Sequence, residues 1–250
     1  MSKKSQYSYV GIAFIILVFG IIFIPKIIDR VKNDDITRSE SRSETVETKI
    51  EETGNLSDMA FLEINGSKKK VPEFSFTNQD GKTISNKDYL GKVYVVEFFF
   101  TTCPTICPRM SRNLVEVQDE FKSFENFGVA SFTINPDFDT PEVLKSYATN
   151  YGVTNPNWHF MTGKEADIYD LANNGFTIYA GKNAEAEGGF EHSGNFALID
   201  KNGYIRSRVD EFGNPKIYYK GIVSRAEQEE DGEKEEISML IQDITKLLKE

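Results

Sequence analysis

One stretch limits what this chain can fold into more than any other: residues 93–109, VYVVEFFFTTCPTICPR, which hold both of its cysteines, Cys103 and Cys107. Residues 93–100 form a short apolar, β-branched and aromatic run without alternation, the pattern of a strand covered on both faces. After Pro108 the apolar residues Met110, Leu114, Val117, Phe121 and Phe124 recur at steps of four and three, which predicts an amphipathic helix. The thiols therefore belong between a strand and a helix. A helix N-terminus offers unpaired N–H groups and a partial positive charge, both of which favour thiolate. Pro108 suits the first helical position, which places Cys107 near the N-cap and Cys103 in the loop. With three residues between them, the sulfurs either close a small disulfide ring or turn together toward one soft metal ion.

The flanking sequence sets the organisation. The 250 residues, 39% hydrophobic and 27% charged, suffice for one main core, and the net charge of −10 argues against a nucleic-acid partner. Residues 8–25 carry no charged side chain and follow Lys3 and Lys4, while no small-residue cleavage site follows the apolar run. Residues 1–31 thus read as an uncleaved transmembrane anchor. Residues 32–60, rich in Asp, Glu, Ser, Thr, Arg and Lys, read as a flexible tether, and residues 61–250 as the folded domain. Basic residues flank the anchor almost evenly, so its orientation is left to the cysteine chemistry.

Within the domain, Phe74 and Phe76 precede an Asp80-Gly81 turn, and residues 129–134 and 158–161 read as further strands. Thr140 and Pro141 open a helix that ends by Gly152, and residues 164–173 form another, with Ile168 and Leu171 inward. The segment GKNAEAEGG reads as a loop, followed by two strands around an Asn202-Gly203 turn. After the acidic run EQEEDGEKEE, a last amphipathic helix carries Ile237, Leu240, Ile241, Ile244, Leu247 and Leu248. Alternating strands and helices imply an α/β sheet.

Three separated motifs, FTTCPTICP, NPDFDTPEVL and EHSGNFALID, resemble the Sco/SenC family across residues 71–248. The resemblance implies a thioredoxin-like, peroxiredoxin-related fold behind a transmembrane helix, with Cys103, Cys107 and His192 as copper ligands. It also implies a role in assembling the dinuclear copper centre of a respiratory cytochrome c oxidase. Donor chemistry agrees, since thiolates suit Cu(I) and an added imidazole also serves Cu(II), whereas structural zinc wants four protein ligands. His159, between Trp158 and Phe160, reads as packing. The chain departs from the family pattern at Asn135, where an acid is usual, at Glu191, where an aspartate commonly precedes the histidine, and in the run Phe98-Phe99-Phe100, which lacks the family's usual glycine. Asp139 reads as a helix cap beside Thr140.

Two functions follow. The first is a metallochaperone that passes copper from Cys103, Cys107 and His192 to an oxidase subunit. The second is a thiol-disulfide oxidoreductase in which the redox-active pair Cys103/Cys107 reduces the target's cysteines. Either needs a thiol reductant as a partner and places the domain on the extracytoplasmic side of the cell's inner membrane, where disulfides persist. A peroxidase is disfavoured, because Val96 stands where the peroxiredoxin pattern has proline. A purely structural disulfide is disfavoured by its small ring.

Overall fold

The computed structural model describes residues 59–210, 212–230 and 232–250, together with isolated positions 13, 17 and 19. Nearly all of the expected anchor and tether lies outside the described residues, among which no helix is long and apolar enough to cross a membrane.

The elements in chain order are β1 (Met59–Phe61), β2 (Ser75–Asn78), β3 (Thr83–Ser85), β4 (Val93–Phe99), α1 (Cys107–Glu120), β5 (Phe127–Thr133), α2 (Pro141–Tyr151), β6 (Trp158–Thr162) and α3 (Glu165–Asp170). They continue with β7 (Ala180–Lys182), β8 (Phe190–His192), β9 (Asn195–Ile199), β10 (Ile205–Arg208), β11 (Tyr219–Lys220), β12 (Glu229–Glu230), β13 (Glu233–Lys234) and α4 (Ile237–Lys249). The main sheet runs β1-β10-β9-β4-β5-β6-β2-β3, with β11 also paired to β9. Its centre is parallel, β4 beside β5 and β5 beside β6, and the remaining pairings are antiparallel. Every residue of β4 and β5 is buried, which explains the unbroken apolar runs. This is the thioredoxin-like α/β arrangement.

The two faces of the centre differ. One carries Phe98 stacked on Phe132 at 5.4 Å, with Phe74, Phe76 and Phe176 around them. The other carries Phe99 against Tyr147 of α2 and Phe160 of β6. Glu97 and Ser131, in register across β4 and β5, share that second face. Toward the β1–β10 edge of the sheet, α4 buries Asp243, whose carboxylate accepts bonds from Arg208 of β10 and Tyr219 of β11.

Several local expectations change. Cys107 is itself the first helical residue, with Ile106 at the N-cap and Pro108 second, because the missing Pro N–H costs nothing anywhere in the first turn. The helix ends at Glu120, so Phe124 falls beyond it and is 43% exposed. Helix α3 is shorter than expected: it passes at Asp170 into a π-type turn, Leu171–Phe176, closed by Thr177 at φ 57°. The two hairpin turns are longer than the Asp-Gly and Asn-Gly pairs imply. In each, an Asx side chain two residues before that pair binds the turn: Asn78 Oδ1 accepts from Asp80 and Lys82, and Asp200 Oδ1 from Asn202 and Tyr204. Only the glycines, Gly81 and Gly203, take positive φ there. The segment GKNAEAEGG is not a plain loop: its first residues belong to β7, which pairs with β8 and so carries His192. The acidic run also folds, with β12 paired to β13.

Candidate metal centre

The chain leaves β4 at Phe99 and turns sharply, Cys103 N–H bonding to the Phe100 carbonyl at 3.2 Å. Asp139 holds this turn. Its buried carboxylate accepts from the Thr101 N–H at 3.1 Å and from the hydroxyls of Thr101 and Thr133. The expected capping role belongs to Thr140 alone, whose hydroxyl accepts from Val143 N–H. Asp139 instead joins the cysteine loop to the end of β5.

The helix that follows aims its first amide at the first cysteine, Cys107 N–H pointing to Cys103 Sγ at 3.5 Å. From across the molecule, the end of β8 brings His192 Nε2 to 3.1 Å from Cys107 Sγ. Phe100 packs edge-on against the imidazole at 5.9 Å. The two sulfurs and an imidazole nitrogen all lie within 4.8 Å of one another, and both thiols are free. Cys107 is fully buried, and Cys103 retains 7% exposure. Cys103 opens into a cavity of about 250 Å³ lined also by Thr105, Ile106, Phe190, Glu191 and His192.

The two thiols are electrostatically unequal. Hydrogen bonding from Cys107 lowers Cys103 to about 3 against the opposing effect of burial, helped by His192 and by the amides of Cys107 and Thr105. Cys107 is pushed up, first by burial and then by the adjacent Cys103. One partly open thiolate thus stands beside one buried thiol.

Other residues singled out in the sequence lie elsewhere. Among the described residues His159 belongs to no such cluster; its Nδ1 is 3.2 Å from Asn78 Nδ2, its ring meets Tyr89 edge-on, and burial lowers its pKa. Asn135 donates its backbone N–H to Thr133. Glu191 is exposed and accepts from Asn183. Sequence reasoning passed over Glu97, whose carboxyl is wholly buried on the cysteine side of the sheet. Its Oε1 accepts from Ser131 at 2.6 Å and its Oε2 has no partner. The available signal was a lone charge within an apolar strand.

The SCO1/SenC family model matches residues 63–227. The chain belongs to the SCO1/SenC family. A curated relative, the SCO1 protein homolog of Bacillus subtilis, is 36% identical over 139 residues, covering 54% of this chain and 71% of that protein. The solved structure of BsSco, described as a member of the Sco family of cytochrome c oxidase assembly proteins with a disulfide switch, aligns at TM-score 0.57. It is 28% identical and covers 72% of this chain and 94% of its own. Copper-bound ScoI of Bradyrhizobium japonicum aligns at TM-score 0.50 with 25% identity, over 56% of this chain and 89% of its own. The SCO1/SenC match stops at Glu227, so the acidic hairpin and α4 lie beyond it, although α4 packs into the same core through Leu240, Ile244 and Leu247.

Proposed function

We propose that this chain is a copper metallochaperone, anchored by residues 1–31 with its domain on the extracytoplasmic side, that serves the dinuclear copper centre of a cytochrome c oxidase. The observation that carries the reading is the convergence of Cys103, Cys107 and His192, two soft sulfurs and one imidazole, within 4.8 Å. That donor set suits copper in both oxidation states, while three ligands fall short of a structural zinc site. The copper-bound ScoI and the oxidase-assembly role described for BsSco support it. Copper is cargo here. Cys103, at the cavity, is placed to pass it by ligand exchange to an oxidase thiol, while buried Cys107 and half-buried His192 complete the donor set.

The inequality of the thiols favours a second activity of the same pair. Cys103 thiolate attacks a target disulfide, forming a mixed disulfide and releasing one target thiolate. Cys107, on losing its proton, then attacks Cys103 Sγ and releases the second. The target gains two electrons, the pair is oxidised to a disulfide, and a thiol reductant must restore it.

The test is copper titration of the reduced full-length protein in detergent, read by optical and EPR spectra. About one equivalent should bind through sulfur, Cys103→Ser or Cys107→Ser should abolish binding, and His192→Ala should change the Cu(II) spectrum. Wild-type binding by either cysteine variant would overturn the reading.

A further inference from the structure

His192 stands at the end of a hairpin that is a separate two-stranded sheet, β7 paired only with β8 among the described residues. In an antiparallel pair, residues alternate between exchanging backbone hydrogen bonds and turning those groups outward. Ser193 N–H bonds to the Tyr179 carbonyl at 3.2 Å, which makes 179 and 193 a bonded pair. Ala180 and His192 are the next opposing residues, and their polar groups face outward. Such pairs bring Cα atoms to about 4.5 Å, close enough for one side chain to set the other's position.

The outward N–H and C=O of Ala180 are both taken by one side chain. Asn173 Oδ1 accepts from Ala180 N–H at 3.1 Å, and Asn173 Nδ2 donates to the Ala180 carbonyl at 2.9 Å. The second Nδ2 hydrogen goes to the Tyr169 carbonyl at 3.0 Å, and the Tyr169 hydroxyl bonds to the Ile134 carbonyl at the end of β5. Asn173 lies in the π-type turn, whose wider winding distinguishes it from the helix expected there. The remaining polar tie from this side, Lys182 to Glu165, is solvent-exposed and therefore weak. Phe190 adds an apolar contact to Phe100 at 5.1 Å.

We propose that Asn173 is a positioning residue for His192: its amide replaces a third strand beside β7, fixes Ala180, and thereby holds the opposing imidazole over the two thiols. This rests on the reading that His192 works together with Cys103 and Cys107.

The test uses full-length protein with isotopically labelled histidine, in wild type, Asn173→Ala, Asn173→Asp and the control Asn174→Ala. Asn174 makes its own side-chain bond, to Asp170, but does not touch β7. The chain has two histidines, so His192→Ala assigns the imidazole resonances outright. In metal-free Asn173→Ala the His192 resonances should move or broaden while those of His159 stay, and the Cu(II) spectrum should approach that of His192→Ala with the copper stoichiometry kept by the thiols. Asn173→Asp retains the acceptor and loses the donor, so it should show a smaller displacement, and it decides the matter where the alanine variant does not fold. Unchanged His192 resonances and an unchanged Cu(II) spectrum overturn the proposal, including the case in which only thermal stability falls. If wild type takes up no copper, the chaperone reading fails by itself and the metal-free resonances still decide the positioning.

Discussion

The buried carboxyl of Glu97 should make this domain lose stability as pH rises through neutrality. Burial raises Glu97 from 4.5 to about 7, against the opposing effect of its bond from Ser131. The folded protein therefore holds the Glu97 proton more tightly than the unfolded chain. This contribution to stability is fully present below pH 4.5 and lost as pH rises through about 7. At about 1.4 kcal/mol per pH unit, the interval corresponds to roughly 3 kcal/mol. That is a large fraction of a typical domain's stability. Glu97→Gln keeps an acceptor for Ser131 and has no proton to lose. Urea unfolding of both proteins at pH 4.5, 6, 7 and 8 should show the variant gaining about 3 kcal/mol relative to wild type across the series, whatever its offset at the acid end. Other titrating groups are common to both proteins and cancel in the difference. Tyr147 and Cys107, the ionisable groups coupled to Glu97, are both pushed up by burial and stay neutral in this window. A difference that does not change with pH would show that Glu97 is ionised or solvated in the native state, and the reasoning would fail.

Three further outcomes are expected. Asp139→Ala leaves the Thr101 N–H and two threonine hydroxyls without their acceptor, so it should cost about 2–4 kcal/mol in urea unfolding and speed alkylation of Cys107; wild-type values for both would refute the clamp. In metal-free protein at pH 6, iodoacetamide should label Cys103 well before Cys107, because the thiolate faces the cavity and Cys107 is buried. Peptide mapping showing equal labelling would contradict that inequality. Asp243→Ala strands Arg208 and Tyr219 against α4 and should cost about 3–5 kcal/mol, a loss under 1 kcal/mol being evidence that water replaces the carboxylate.

What the sequence disclosed and what it concealed divide along a physical line. The buried central strands and the helices begun by Thr140-Pro141 and by Cys107-Pro108 were legible because burial and capping act over a few neighbouring residues. Cys103 and Cys107 were legible as a pair for the same reason, being one turn apart. His192 is separated from Cys107 by 85 positions, and only the motif resemblance connected them in advance; the geometry now does so through the β7–β8 hairpin. That hairpin was hidden because its strands are only three residues long, too short to show a period, and because its outer edge is satisfied by an asparagine instead of a strand. Asp139 was misread for a related reason. A carboxylate just before a helix competes between capping its own backbone and reaching other donors, and here Thr101 and Thr133 together supply three donors where the cap would supply one or two. Glu97 was concealed by the strength of the strand signal around it: a run apolar enough to be buried on both faces outweighs one acid in any window average. Yet burial moves the titration of that acid into the neutral range. The local code thus specifies the scaffold, while the residues that orient the thiols and imidazole, Asp139 and Asn173, do so through side-chain bonds to backbone distant in sequence or on the next element, a relation that periodicity does not record.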